Sequence, residues 1–172
     1  MCNALPLGIR IDGGAIPPVE EHTTYVDVGA LSIGVEYRLL TDDIVDGNYA
    51  GTDDAAEVDA NRPDALDDEG VSFHVCDASD GREYLRFDAF RDDPHYHYIH
   101  AEGYQQIVVF DASASGDMLE WSLACLESRL PEMLRHAGAG ELANRVDRDA
   151  VAAAMPGIAT LAREAGSPAS IG

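Results

Sequence analysis

His95-x-His97 is the pair whose types and spacing speak most directly of chemistry in this sequence. Side chains at i and i+2 of a strand point the same way, so two imidazoles so spaced can grip one metal ion. Glu102 follows after a gap of four residues and offers a carboxylate as third ligand, with Asp88 as the other choice. The cofactor such a set takes is a divalent transition metal: zinc, iron or manganese. His74, Tyr84, Arg86 and Asp88 recur at alternate positions just upstream and are expected to line the same surface as ligand-binding groups. Arg86 suits an anionic group through its planar fork of donors. Cys76 stands two residues from His74, which puts a thiol beside an imidazole on one strand.

The run His95-x-His97, a short gap and Glu102 resembles the first motif of the cupins, small β-barrel metalloproteins. The resemblance covers eight residues. The glycines that flank that motif are missing, with Ala89 upstream and Val109 downstream, and no second motif follows because the pattern turns helical after Phe110. It implies a ligand pattern and no membership of the family. Other signatures are absent: there is no G-x-S-x-G elbow, no phosphate loop and no G-x-G-x-x-G. A calcium loop cannot be fitted to Asp42–Asp53, because Ile44 stands where a ligand is required.

The elements that must position these residues read as strands first and helices last. Leu7–Ile11 is a short candidate strand before Gly13-Gly14, and Thr24–Val28 and Leu31–Leu39 flank a turn at Gly29-Ala30. Val71–Cys76 with Glu83–Asp88, and His95–His100 with Gln105–Phe110, form two more hairpins. Closely spaced consecutive strands make an antiparallel meander. From Asp111 the period becomes helical. Leu119, Leu123, Leu126, Leu130 and Met133 or Leu134 stripe a helix over 117–136, capped by Ser113 or Ser115, and Pro131 must kink this helix or start a new one. Shorter helices over 141–146, 149–155 and 157–165 break at Pro156, and the tail 166–172 is expected to fray.

The fold class is therefore α+β, one domain over 1–172, with a sheet in 7–110 and helices in 113–165. The leucine stripe needs an apolar surface, and Leu31, Ile33, Val35, Phe73, Val75, Leu85 and Phe87 supply one. Alternation leaves Ser32, Gly34, Glu36, Arg38, His74, Cys76, Tyr84, Arg86 and Asp88 on the other face, joined either by His95 and His97 or by Tyr96, Tyr98 and His100. That face is polar, concave if the sheet curves, and expected to be open. Antiparallel sheets also commonly wet one face with no function attached.

Charge removes several classes of partner. There are 32 acidic residues against 11 basic ones, all Arg, for a net charge of -21. Such a chain repels nucleic-acid phosphate and anionic lipid alike. Eleven acids fall between residues 41 and 69 with Arg62 as the only base, so this span is expected to be an irregular, exposed loop. The three cysteines have no metal spacing, and the N-terminus has neither a basic region nor a long apolar run; reduced thiols in a soluble, cytoplasmic protein are expected. The functional expectation is a non-catalytic binding or accessory subunit whose His/Tyr-rich face docks a protein partner, a second copy of the chain or a small-molecule ligand. The alternative is a small metal-dependent enzyme using the same face.

Overall fold

Strict alternation over the β-branched and aromatic segments builds one seven-stranded antiparallel sheet in the computed structural model, which describes residues 5–166. The strands are β1 (Ile9–Asp12), β2 (Thr23–Val28), β3 (Leu31–Thr41), β4 (Asp67–Asp77), β5 (Glu83–Phe90), β6 (His95–Ile99) and β7 (Tyr104–Val109). Their order, β1-β7-β6-β5-β4-β3-β2, is a meander from β2 to β7 whose free edge is taken by β1. The β2–β3 hairpin closes over Gly29 and Ala30, and Gly29 holds φ +62°, where a Cβ would be strained.

One face is the main core. Leu31, Ile33, Val35, Phe73, Val75, Leu85 and Phe87 are all buried there, as alternation requires. Three helices cover them: α4 (Met118–Ser128), α5 (Leu130–His136) and α7 (Arg148–Ala165). Leu123, Leu126, Leu130 and Leu134 supply the stripe from α4 and α5, and Val151, Ile158 and Ala162 add that of α7. Trp121 anchors this layer, its ring 5.1 Å from Phe110 and 5.2 Å from Tyr96. Burying each large apolar side chain contributes roughly 1.5–3 kcal/mol, so this face carries most of the stability.

Several local expectations change. The cap of α4 is Asp117, whose carboxylate accepts from the Glu120 N–H. Ser113 and Ser115 instead lie within the separate turn α3 (Ala112–Ser115), itself capped by Asp111. Of the two courses expected at Pro131, the structure takes the second: the proline lies in the first turn of a new helix, α5, where a missing N–H is harmless. Pro156 does not break the C-terminal helix: α7 runs through it. The proline sits on the exposed side, so the backbone carbonyl it frees meets water, while Met155 and Ile158 stay buried. A short helix α6 (Gly140–Asn144) joins α5 to α7. Beyond Gly166 the tail lies outside the described residues.

The larger correction is at 41–69. This span is not an irregular loop: it holds α1 (Asp42–Tyr49), α2 (Ala55–Asn61) and the start of β4. Val45, Tyr49 and Val58 are buried with Ile11 in a second, smaller apolar cluster on the other side of the sheet. Arg62, the segment's single base, offsets the acid density by pairing with Asp46 at 2.9 Å and Asp59 at 3.1 Å, with Asp42 at 3.6 Å. The second face is therefore roofed. No helix among the described residues is long and apolar enough to cross a membrane.

Candidate metal centre

The register of β5 against β6 decides which side chains share the polar face. Asp88 pairs with His95 and Arg86 with His97, so both histidines lie with Arg86 and Asp88, and Tyr96 and Tyr98 pack among the rings and helices of the core face. Asp88 Oδ2 lies 3.1 Å from His97 Nε2 and 3.3 Å from His95 Nε2. The three candidate ligand atoms fall within 4.8 Å of one another. Asp88 is 3 % exposed and His97 7 %.

Neighbouring groups fix the orientation of each of the three side chains. Asp88 Oδ1 accepts from the Ser72 hydroxyl. His95 Nδ1–H donates to the Asp93 carbonyl at 2.6 Å. His97 Nδ1 lies 2.9 Å from Gln105 Oε1. The amide of Gln105 donates to the Gly14 carbonyl and to Tyr49 Oη, so its oxygen faces His97 and His97 Nδ1 must carry the proton. Both Nε2 atoms are thereby directed at one carboxylate oxygen. Metal-ligating histidines are held in the same way, with the far N–H donating to a carbonyl or carboxamide.

The electrostatics agree with that orientation. Burial alone would raise the Asp88 pKa, but hydrogen bonds from His95 and His97 hold it well below the usual carboxylate range. Burial also opposes a charge on His95, yet Asp88 raises its pKa. Burial wins at His97, whose pKa is lowered in spite of Asp88. The donor set, two imidazoles and a carboxylate, suits a divalent transition metal.

Beside this trio runs a buried chain of alternating charge. Arg38 bonds Glu36 at 3.1 Å, Glu36 bonds His74 Nε2 at 2.9 Å, and His74 Nδ1 bonds Glu83 at 2.7 Å. Glu83 in turn accepts from Arg86 Nε and Nη2. With a carboxylate on each ring nitrogen, His74 is an imidazolium, its pKa raised against the pull of burial. Glu83, despite burial, is held down to about 2 by Arg86 and His74. Burial pushes the Cys76 thiol up to about 12, so it stays protonated and makes no nucleophile with His74.

Two expected site residues stand elsewhere. Glu102 is exposed in the turn between β6 and β7. Successive residues rise about 3.3 Å along a strand, which puts it on the order of 10 Å from His97. Asp88 occupies the third position instead. Tyr84 leaves the polar face because the register slips at Val75/Cys76: Cys76 pairs with Glu83, and Tyr84 becomes the unpaired residue of a bulge, packed against the main core. Glu83 takes its place. Reading the sequence also missed Ser72, Gln105 and Tyr49. Ser72 shares the parity of His74 and was in reach of the alternation argument; Tyr49 was hidden by the acidity around it.

Above the trio, between the polar face and the α1–α2 roof, lies a cavity of about 490 Å³. Its floor holds Arg86, Asp88, His95, His97 and Gln105, and its walls are mainly apolar, including Ile11, Ile16, Val45, Val58, Leu66 and Ile107. The volume falls within the roughly 300–1,000 Å³ of small-molecule pockets, and a few polar groups in an apolar shell are their usual lining.

No curated protein and no solved structure matches the chain. Residues 25–162 match the family described as "Domain of unknown function (DUF7700)", a match that spans β2 to α7, and the chain belongs to that family.

Proposed function

We propose that this chain binds a divalent transition metal through Asp88, His95 and His97 and uses it on a small molecule held in the cavity, as a small metal-dependent enzyme. The observation that carries the reading is the convergence of both Nε2 atoms on Asp88 Oδ2, each with its Nδ1–H held from behind. Zinc, iron and manganese all accept this donor set. Structural metal sites close with four protein ligands, whereas catalytic ones keep a position open for water or substrate. Three protein ligands at the floor of a cavity fit the second pattern. A bound metal would supply a Lewis acid there. The chain's own contribution is to orient the ligands, through Ser72, Asp93 and Gln105.

The alternative, an accessory subunit that docks a protein on its His/Tyr face, asks for an open face. The roof of α1 and α2 favours a small ligand over a protein on this side of the sheet. A net charge of -21 argues against nucleic acid as partner, and two unpaired buried cysteines suit a reducing, cytoplasmic setting. Metal analysis of the full chain, purified without a histidine tag, tests the proposal. We expect about one equivalent of zinc, iron or manganese, lost in a His95→Gln, His97→Gln double variant that still folds. Protein that takes up none of the three on titration would overturn it.

A further inference from the structure

We infer that the cavity takes a small carboxylate with a compact apolar body, its carboxylate held between Arg86 and the metal ion and its body lying against Ile11, Val45, Val58 and Ile107. The inference rests on the metal reading and names the ligand class for that site.

Arg86 is 2 % exposed and lines the cavity. Its Nε and Nη2 are spent on Glu83, and among the described residues Nη1 has no hydrogen-bond partner. The other arginines of the lining face partners of their own: Arg38 donates through Nη1 and Nη2 to Glu36 and the Ile16 and Pro17 carbonyls, and Arg62 is ion-paired with Asp46 and Asp59 of the roof. Of the three acids of the lining, Asp93 is exposed to solvent, and Asp68 and Asp88 are engaged. Asp68 accepts from the backbone N–H groups of Glu69, Asp92 and Asp93, and Asp88 faces the two histidines. With a divalent ion on Asp88, the floor carries net positive charge beside an unused guanidinium nitrogen. An anion with two oxygens can meet the ion with one and Arg86 Nη1 with the other.

The walls set the rest of the molecule. Ile11, Val45 and Val58 are buried around the cavity, and Ile107 packs against them. A polar body would lose its water there without replacement partners, whereas each methylene taken from water strengthens binding about fourfold.

The test uses the full chain loaded with one equivalent of Co²⁺, whose visible spectrum reports on its ligands. Acetate, butanoate, hexanoate and octanoate are titrated in, with octanol and octylamine as matched controls. We expect a spectral change with each carboxylate, affinity rising at least tenfold from acetate to hexanoate, and octanol and octylamine at least tenfold weaker than octanoate. Arg86→Gln should erase the preference for octanoate over octanol while Co²⁺ still binds. Should that variant fail to fold, Ile16→Trp, which narrows the cavity, should weaken octanoate and leave acetate unchanged. Cobalt bound one to one, with affinity that ignores chain length or favours the amine or alcohol, overturns this inference and leaves the metal reading standing. Failure of cobalt to bind overturns the metal reading and this inference together.

Discussion

The two faces of one sheet are built from the same strands by the same alternation, and they end in opposite conditions. The face under α4, α5 and α7 is filled: Leu31, Ile33, Phe73, Val75, Leu85, Phe87, Leu126 and Leu134 are wholly or almost wholly buried. The face under α1 and α2 has a roof of two short helices, an apolar cluster of four buried residues, a cavity, and a row of buried charges from Arg38 to Asp88. Burying charge and leaving space both cost stability. The filled face tolerates that cost, and it frees the other to hold polar groups at fixed positions. Stability and candidate chemistry are thus divided between the two sides of β3, β4 and β5.

If that division is right, the largest effect belongs to the filled face. Phe73→Ala should cost about 3–5 kcal/mol in urea denaturation, through lost burial and the cavity left behind. The fraction that remains folded should bind metal as the parent does. An equal loss of metal affinity would show that the two faces are not separable.

The charge row should respond to pH on both sides. Glu83, held down to about 2 from an ordinary 4.5, contributes stability that is present above about pH 4.5 and fades as pH falls toward 2. His74, whose pKa is raised above 6.5, contributes stability that is present below pH 6.5 and fades as pH rises through its folded value. Thermal melts should therefore peak between about pH 4.5 and 6.5, and His74→Gln should flatten the decline on the alkaline side. An alkaline decline unchanged in that variant would remove His74 from the account.

The smallest effect should come from the roof. Val58→Ala removes two methyl groups from a small cluster and should cost about 1–2 kcal/mol. Hydrogen exchange should localise the loss to residues 42–66, with amides of β4 and β5 beyond residue 70 still protected. Arg62→Ala should speed proteolysis in the same span, because it leaves Asp42, Asp46 and Asp59 facing one another. Uniform loss of protection across the sheet would contradict a roof that opens by itself.

How far each face could be read from sequence follows from the kind of signal it gives. Leu31, Ile33 and Val35 alternate strictly, and Leu123, Leu126 and Leu130 stripe a helix, so the filled face was legible in detail. On the polar face, parity alone brought His74, Arg86 and Asp88 together, and pairing of β5 with β6 added His95 and His97. Long-range register was not legible. The bulge that trades Tyr84 for Glu83 leaves no mark in composition, and the choice of Asp88 over Glu102 depends on a strand partner rather than on spacing. The roof was hidden because eleven acids outweigh Val45, Tyr49 and Val58 in any average, although those three and one arginine are enough to seat two short helices.

X-ray absorption at the zinc edge, on the full chain loaded with one equivalent of Zn²⁺, tests the central claim most directly. The account predicts a shell of nitrogen and oxygen only, at about 2.0–2.1 Å, with the multiple scattering of two imidazoles. That imidazole signature should vanish in the His95→Gln, His97→Gln double variant. A sulfur shell at about 2.3 Å, or a spectrum the double variant leaves unchanged, would place the metal elsewhere and contradict the site.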